Sequence, residues 1–198
     1  PVDGQLGFRW FGWVHPNLLV GGGLLTSVPW GRTEEDPYTL GRESQVHQHF
    51  QRGTGTFIPI VEGRVIWNKG QFGFMAGGFG RLSLYENAKG YFPGSGLGWE
   101  LGPTYQLKAP IIFYPSVEGA HETRDRWAGE LAPSSGRHAL LSGLNAIFMV
   151  SGNLVLQAQA KTTVWQMSLS QDNDDQLLQR FIGTIGFSWT AKPKLDHV

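Results

Sequence analysis

The chain has 198 residues, which suits one domain, so 1–198 is read as a single unit. Sixteen basic and sixteen acidic residues cancel, which removes the electrostatic footprint of a nucleic-acid binder. Charged residues are only 16% and aromatics 13%, there is no cysteine for a disulfide or thiolate metal site, and no run approaches the ~18 apolar residues of a membrane helix.

The chain opens on Pro1-Val2-Asp3 with no initiator Met or signal peptide, so a processed or truncated start is expected. Gln5–Val14 is the first predicted strand: Leu6, Phe8, Trp10, Gly12 and Val14 alternate with Gln5, Gly7, Arg9, Phe11 and Trp13. His15-Pro16-Asn17 turns the chain into a second strand, Leu18–Trp30. A long polar loop, Gly31–Gln48, follows. Gly55–Trp67 and Gln71–Leu84 then form a hairpin around Asn68-Lys69-Gly70, which tolerates the positive φ of a tight turn. Period two runs through both arms, and charge is confined to one face, with Glu62 and Arg64 on one arm and Arg81 on the other. Glu86–Gly96 is a second polar loop.

Leu97–Leu107 alternates cleanly, Lys108-Ala109-Pro110 turns, and Ile111–Arg124 continues the pattern. Asp125–Gly136 is a third polar loop. Arg137–Val150 is a strand whose facing the pattern leaves open, and Ser151-Gly152-Asn153 turns it into Leu154–Trp165. Ser168–Gln176 is a fourth polar loop, Leu178–Thr190 the last strand and Ala191–Val198 a polar tail.

Arms of this length exceed the roughly 5–6 residues of an ordinary strand and reach the roughly 9–11 needed to cross an outer membrane. Short and long connections alternate, as periplasmic turns and extracellular loops do. The fold class expected is all-β: an antiparallel, up-and-down transmembrane β-barrel in a bacterial outer membrane. Nine strands are read. A single-chain barrel normally has an even number, so about ten are expected, at least one of them upstream. Otherwise Gly31–Gln48 hides a strand, or one has been split wrongly.

The order of motifs resembles a known family. His49, then Gly53-Thr54-Gly55-Thr56-Phe57 and its hairpin, the Gly-rich Tyr105 strand, Glu118 to Arg126, Gly136 through Ser142-Gly143-Leu144, and Gly186-Phe187-Ser188-Trp189 are similar to the outer-membrane transporter-like family associated with the meta-pathway of phenol degradation. The resemblance runs over Leu18–Thr190 and implies a barrel that passes small, often aromatic or apolar, molecules. Many such barrels end on an aromatic read by the assembly machinery, whereas eight residues follow Thr190 here.

Parity places Arg9, Glu62, Arg64, Arg81, Glu100, Glu118, Glu122, Arg124, Gln157, Gln159, Lys161 and Arg180 in the lumen. Unpaired charge there is costly, so these groups are expected to pair across strands. Such pairs either plug a narrow barrel or line a selectivity path for a polar or zwitterionic solute. Trp10, Trp30, Trp67, Trp99, Tyr105, Phe187 and Trp189 are read as membrane-interface aromatics. Ser116, Glu122, His121 and His138 are the candidates for a hydrolytic site, but His121 falls on the face opposite Ser116 and Glu122, so no enzyme is expected. His47 and His49, with His15, lack fitting carboxylates for a metal, and Gly21-Gly22-Gly23 opens no helix for a phosphate loop. No cofactor is expected. The partners expected are membrane lipid, a small apolar or aromatic solute and other envelope proteins. The function expected is a passive, porin-like channel or transporter. The alternatives are a structural barrel that anchors envelope partners, or a soluble β-sandwich that binds carbohydrate.

Overall fold

Alternating side chains let a strand show one face to each of two environments, and the long strands realise that pattern. The structure, a computed structural model, describes residues 3–45, 52–107, 111–133, 135–151, 154–169 and 180–189, with backbone alone at 188 and 189. Its elements are β1 (Gly4–His15), β2 (Leu18–Val28), α1 (Pro37–Arg42), β3 (Ile58–Lys69), β4 (Phe72–Arg81), β5 (Tyr91–Phe92), β6 (Gly96–Gln106), β7 (Ile111–Glu122), β8 (Arg126–Trp127), β9 (Glu130–Leu131), β10 (Arg137–Met149), β11 (Leu154–Ser168) and β12 (Phe181–Trp189).

The nine long strands form one antiparallel sheet in the order β1-β2-β3-β4-β6-β7-β10-β11-β12. Each strand pairs with its neighbour along the chain, as hairpins dictate. The sheet curls, because Arg9 and Phe11 of β1 and Gln157 and Lys161 of β11 line one cavity. It is an open ladder among the described residues: β1 and β12 are its two edges and, eight antiparallel pairings apart, run in the same direction.

Several strand ends differ from the sequence expectation. Gly55–Phe57 is not strand. Gly55 takes φ +70°, and the Phe57 N–H donates to the Tyr85 hydroxyl at 2.8 Å. β4 stops at Arg81 because the Ser83 N–H donates to Ser95 Oγ instead of a ladder. The β3–β4 turn is Gly70-Gln71, with Gly70 at φ +64°, the geometry a two-residue turn with leading glycine needs. The described part of Gly31–Gln48 holds no hidden strand. It holds α1, capped by Asp36, whose carboxylate accepts the Tyr38 N–H. The turn Lys108–Pro110, residues Gly152 and Asn153, the last strand's start at Leu178 and the tail lie outside the described residues.

The register fixes the facing of β10. Arg137 sits opposite Glu122 and Gly143 opposite Ser116, so the odd positions of β10 share the face of the charged residues of β7. A bulge in the β10–β11 ladder beside Leu140 and Leu141 shifts the facing of the last residues of β11. With the inner face so defined, the strand positions of the outer face carry no Asp, Glu, Lys or Arg except Lys69, at a turn.

Above the β7 and β10 strand ends, a three-stranded sheet in the order β5-β8-β9 builds a cap. Its core is Tyr91, Trp127 and Ala132, with Tyr38 packed against it. The Tyr91 and Trp127 rings meet at 4.8 Å. Asn87 ties the cap to the neighbouring loop: its Nδ2 donates to the Thr54 carbonyl at 2.9 Å. Asp3 accepts the N–H groups of Gly31 and Thr54 and joins that loop to the start of the sheet.

Candidate functional site

The inner face is built from charge pairs that reach over glycines. Arg9, Gly23 and Glu62 occupy one register row on β1, β2 and β3, and Arg9 pairs with Glu62. A Cβ on Gly23 would stand 2.7 Å from the Glu62 side chain, so only glycine leaves that passage open. Arg64, Gly77 and Glu100 repeat the arrangement on β3, β4 and β6, at 4.0 Å. Arg81, Gly96 and Glu122 repeat it on β4, β6 and β7, at 2.8 Å. A Cβ on Gly96 would stand 2.7 Å from Arg81 Nε. Lys161 of β11 passes beside Gly143 to reach Glu118 of β7 diagonally. Glu122 is shared, since Arg137 Nε also donates to it at 3.0 Å.

These pairs surround a cavity of about 670 Å³. Phe11 and Phe79 line it as well, Phe11 lying over Gly21 and Phe79 over Gly98. A second cavity of about 320 Å³ lies under the cap, lined by Arg81, Tyr91, Asp125 and Arg137 among others. Glu122 and Arg137 belong to both cavities, so the Arg81–Glu122–Arg137 cluster stands where they adjoin. Deeper in the sheet, Asn145 Nδ2 donates to Ser116 Oγ at 3.0 Å and to the Tyr114 carbonyl, and Gln159 donates to Asn145.

Of the residues expected in the lumen, Arg9, Glu62, Arg64, Glu100, Glu118, Glu122, Gln157 and Lys161 line the large cavity. Arg81 lines the one beneath the cap, and Gln159 lies on the inner face beside Asn145. Arg124 departs from expectation. β7 ends at Glu122, and Arg124 turns into the cap, where its guanidinium donates to the Ala132 carbonyl at 2.8 and 3.2 Å. Arg180 precedes β12 and is exposed, and its carbonyl accepts from Thr162 Oγ1. Arg137, Phe11 and Phe79 are among the lining residues that the sequence expectation did not name. The register through Gly96 and Gly98 is the signal that places Arg137 and Phe79.

The expected interface aromatics Trp10, Trp30, Trp67, Trp99, Tyr105 and Phe187 are all exposed. Trp67, and Tyr105 with its ring partner Phe72 at 5.1 Å, sit near the short turns, and Trp30 lies just beyond β2 at the long-loop end. Trp10 lies mid-strand, and Trp99 folds over Gly119 rather than standing at a rim. The side chain of Trp189, and both His47 and His49, lie outside the described residues. His15 Nδ1 accepts the Asn17 N–H at the first turn. Ser116 and Glu122 are on the inner face and His121 and His138 on the outer, so the four are not brought together.

Burial raises the Asp125 carboxyl above the usual carboxylate range, against the pull of the Gly94 N–H and the Tyr91 hydroxyl that it accepts. The Tyr91 hydroxyl is raised too, by burial first and then by Asp125. A carboxyl raised on folding holds its proton more tightly in the folded cap than in the unfolded chain. Its stabilising contribution is therefore complete below the unfolded value and is lost as pH rises through the folded one. The cap is expected to open more readily as pH rises out of the ordinary carboxylate range and beyond, and Asp125→Asn to flatten that dependence. Amide exchange at Gly94 and Tyr91 across the window, corrected for intrinsic rates, checks this. A wild-type profile as flat as that of the variant would contradict it.

No protein-family model matches the chain, and no curated protein matches it.

Proposed function

We propose that this chain forms the wall of a bacterial outer-membrane β-barrel and acts as a narrow, passive channel for small solutes. The observation that carries the reading is an inverted partition of polarity. Among the described residues seven apolar side chains are buried, whereas 35 large apolar side chains are exposed. A sheet in water hides its apolar face, and exposed patches beyond a few hundred Å² mark contact with something apolar. Here the charges turn inward and pair, while the outer face is free of them apart from Lys69. Hydrocarbon outside and a wet lumen inside explain both. The nine long strands, 9–15 residues each, are long enough to cross.

The lumen sets the solute class. Ion pairs beside Phe11 and Phe79 suit a small molecule with an aromatic or apolar part and a polar group. A second reading, a sealed barrel that anchors envelope partners, is favoured by the cap and by the Arg81–Glu122–Arg137 cluster where the cavities adjoin.

Fractionation followed by a heat-shift gel tests the barrel. The protein is expected to need detergent and to migrate faster unboiled than boiled. A freely soluble chain with no heat shift removes the membrane reading and turns the exposed tryptophans into candidates for carbohydrate stacking. Planar-bilayer recording then separates the two membrane readings. A small wild-type conductance that rises in Arg81→Ala/Arg137→Ala supports a channel, and silence in both supports the sealed scaffold.

A further inference from the structure

We propose that His121, His138 and Met167 form a site for a soft monovalent metal ion, Cu(I) in the first instance, on the outer face of the sheet. The register places Leu97, His121, His138 and Met167 side by side on β6, β7, β10 and β11, each one residue from the long-loop end of its strand. The two imidazoles lean together at their Nδ1 corners: the nitrogens are 3.1 Å apart while the ring centroids are 4.4 Å apart, with the planes 24° from parallel. Nitrogens at that separation share either a proton or a cation. With metal–nitrogen bonds of about 2.0–2.1 Å, the separation corresponds to a ligand–metal–ligand angle of roughly 100°. Met167 is exposed, and its unbranched side chain has the freedom to bring sulfur to the pair.

The surroundings select the ion. The next row on this face is Trp99, Gly119, Leu140 and Trp165, with no oxygen side chain. The adjacent carboxylate, Glu122, lies on the opposite face and is held by Arg81 and Arg137. Among the described residues no three imidazole or carboxylate groups converge. Hard cations need a set of oxygen ligands with carboxylates among them, and the strands of this face supply no carboxylate. A neutral nitrogen–nitrogen–sulfur set in apolar surroundings favours a soft ion of single charge, because a second charge would go uncompensated. The site lies on the face opposite the cavities, so it stands whether or not the barrel conducts.

The test titrates the purified full chain in mild detergent with Cu(I) under anaerobic conditions, against a chromogenic Cu(I) chelator. One equivalent is expected to be withheld from the chelator. His121→Phe, which keeps a stacked ring, is expected to abolish this. Met167→Leu, close to isosteric, is expected to weaken binding by at least about ten-fold. Circular dichroism confirms that both variants fold. Failure of the wild type to retain one equivalent overturns the site. Retention unchanged in His121→Phe overturns it too, and retention unchanged in Met167→Leu overturns the three-ligand set.

Discussion

Lys161→Met is expected to destabilise the folded protein by about 3–5 kcal/mol, the range for removing one partner of a buried ion pair. The Lys161 and Glu118 side chains are only 13% and 17% exposed. Glu100, also 17% exposed, faces Glu118 in the register, and its own cation, Arg64, stands 4.0 Å away. Without Lys161, two neighbouring carboxylates share one distant guanidinium and a 3.3 Å hydrogen bond from Ser116 Oγ to Glu118. Methionine preserves the aliphatic stem beside Gly143, so the loss reports charge rather than packing. Lys161→Met/Glu118→Gln is expected to recover most of it, because no charge is then stranded. Arg9→Met is the internal control. Arg9 is 52% exposed, so its pair with Glu62 is expected to contribute only about 0.2–1 kcal/mol. Denaturant unfolding in micelles, followed by tryptophan fluorescence, measures the wild type, these three variants and Glu118→Gln, which closes the double-mutant cycle. A coupling between Lys161 and Glu118 below about 0.5 kcal/mol would be ordinary additivity and would sink the claim.

The nine long strands and their order were legible because all but β10 carry a period of two, and β4 and, Lys69 at its turn aside, β3 carry their charge on one face only. Polarity of the wall follows directly from that pattern. Where the chain left its strand, parity misled. Arg124 continues the alternation of β7 on paper, yet the strand ends at Glu122 and the backbone turns into the cap. The facing of β10 was illegible because Ala139, Leu141 and Gly143 look as apolar as Leu140, Ser142 and Leu144. Only the ladder with β7 decides it, and with it the place of Arg137. The passages over Gly23, Gly77 and Gly96 depend on register across three strands, which alternation within one strand does not encode. Strands of two residues in polar loops, such as those of the cap, are too short to show a period. The two outer histidines were named only as candidates for a hydrolytic site, and their direct contact went unread for a related reason. His121 and His138 are 17 residues apart, and only the β7–β10 register makes them neighbours.

Leu101→Arg is expected to cost about 2–4 kcal/mol in a bilayer, the penalty for a cation near the midplane of a barrel's lipid face. Leu101 is 41% exposed and mid-strand on β6, in an outer row with Val20, Val65, Ala76 and Val117. In a bilayer-spanning sheet an arginine there would have no short path to the headgroups. Leu97→Arg is the matched control on the same strand. It lies one residue from the long-loop end, where the cost is expected to fall to about 0–1 kcal/mol. Both positions face outward and both are exposed, so β propensity and lost packing largely cancel between them. Depth in the membrane remains as the difference. If the same face met water, each substitution would stay within about 0.5 kcal/mol, as surface changes do, and the added charge would improve solubility. Unfolding midpoints after refolding into lipid vesicles read the difference directly. A Leu101→Arg penalty well above that of Leu97→Arg means that this face lies in hydrocarbon. Two small and equal penalties would mean that it does not, and the channel and the sealed scaffold would then fall together.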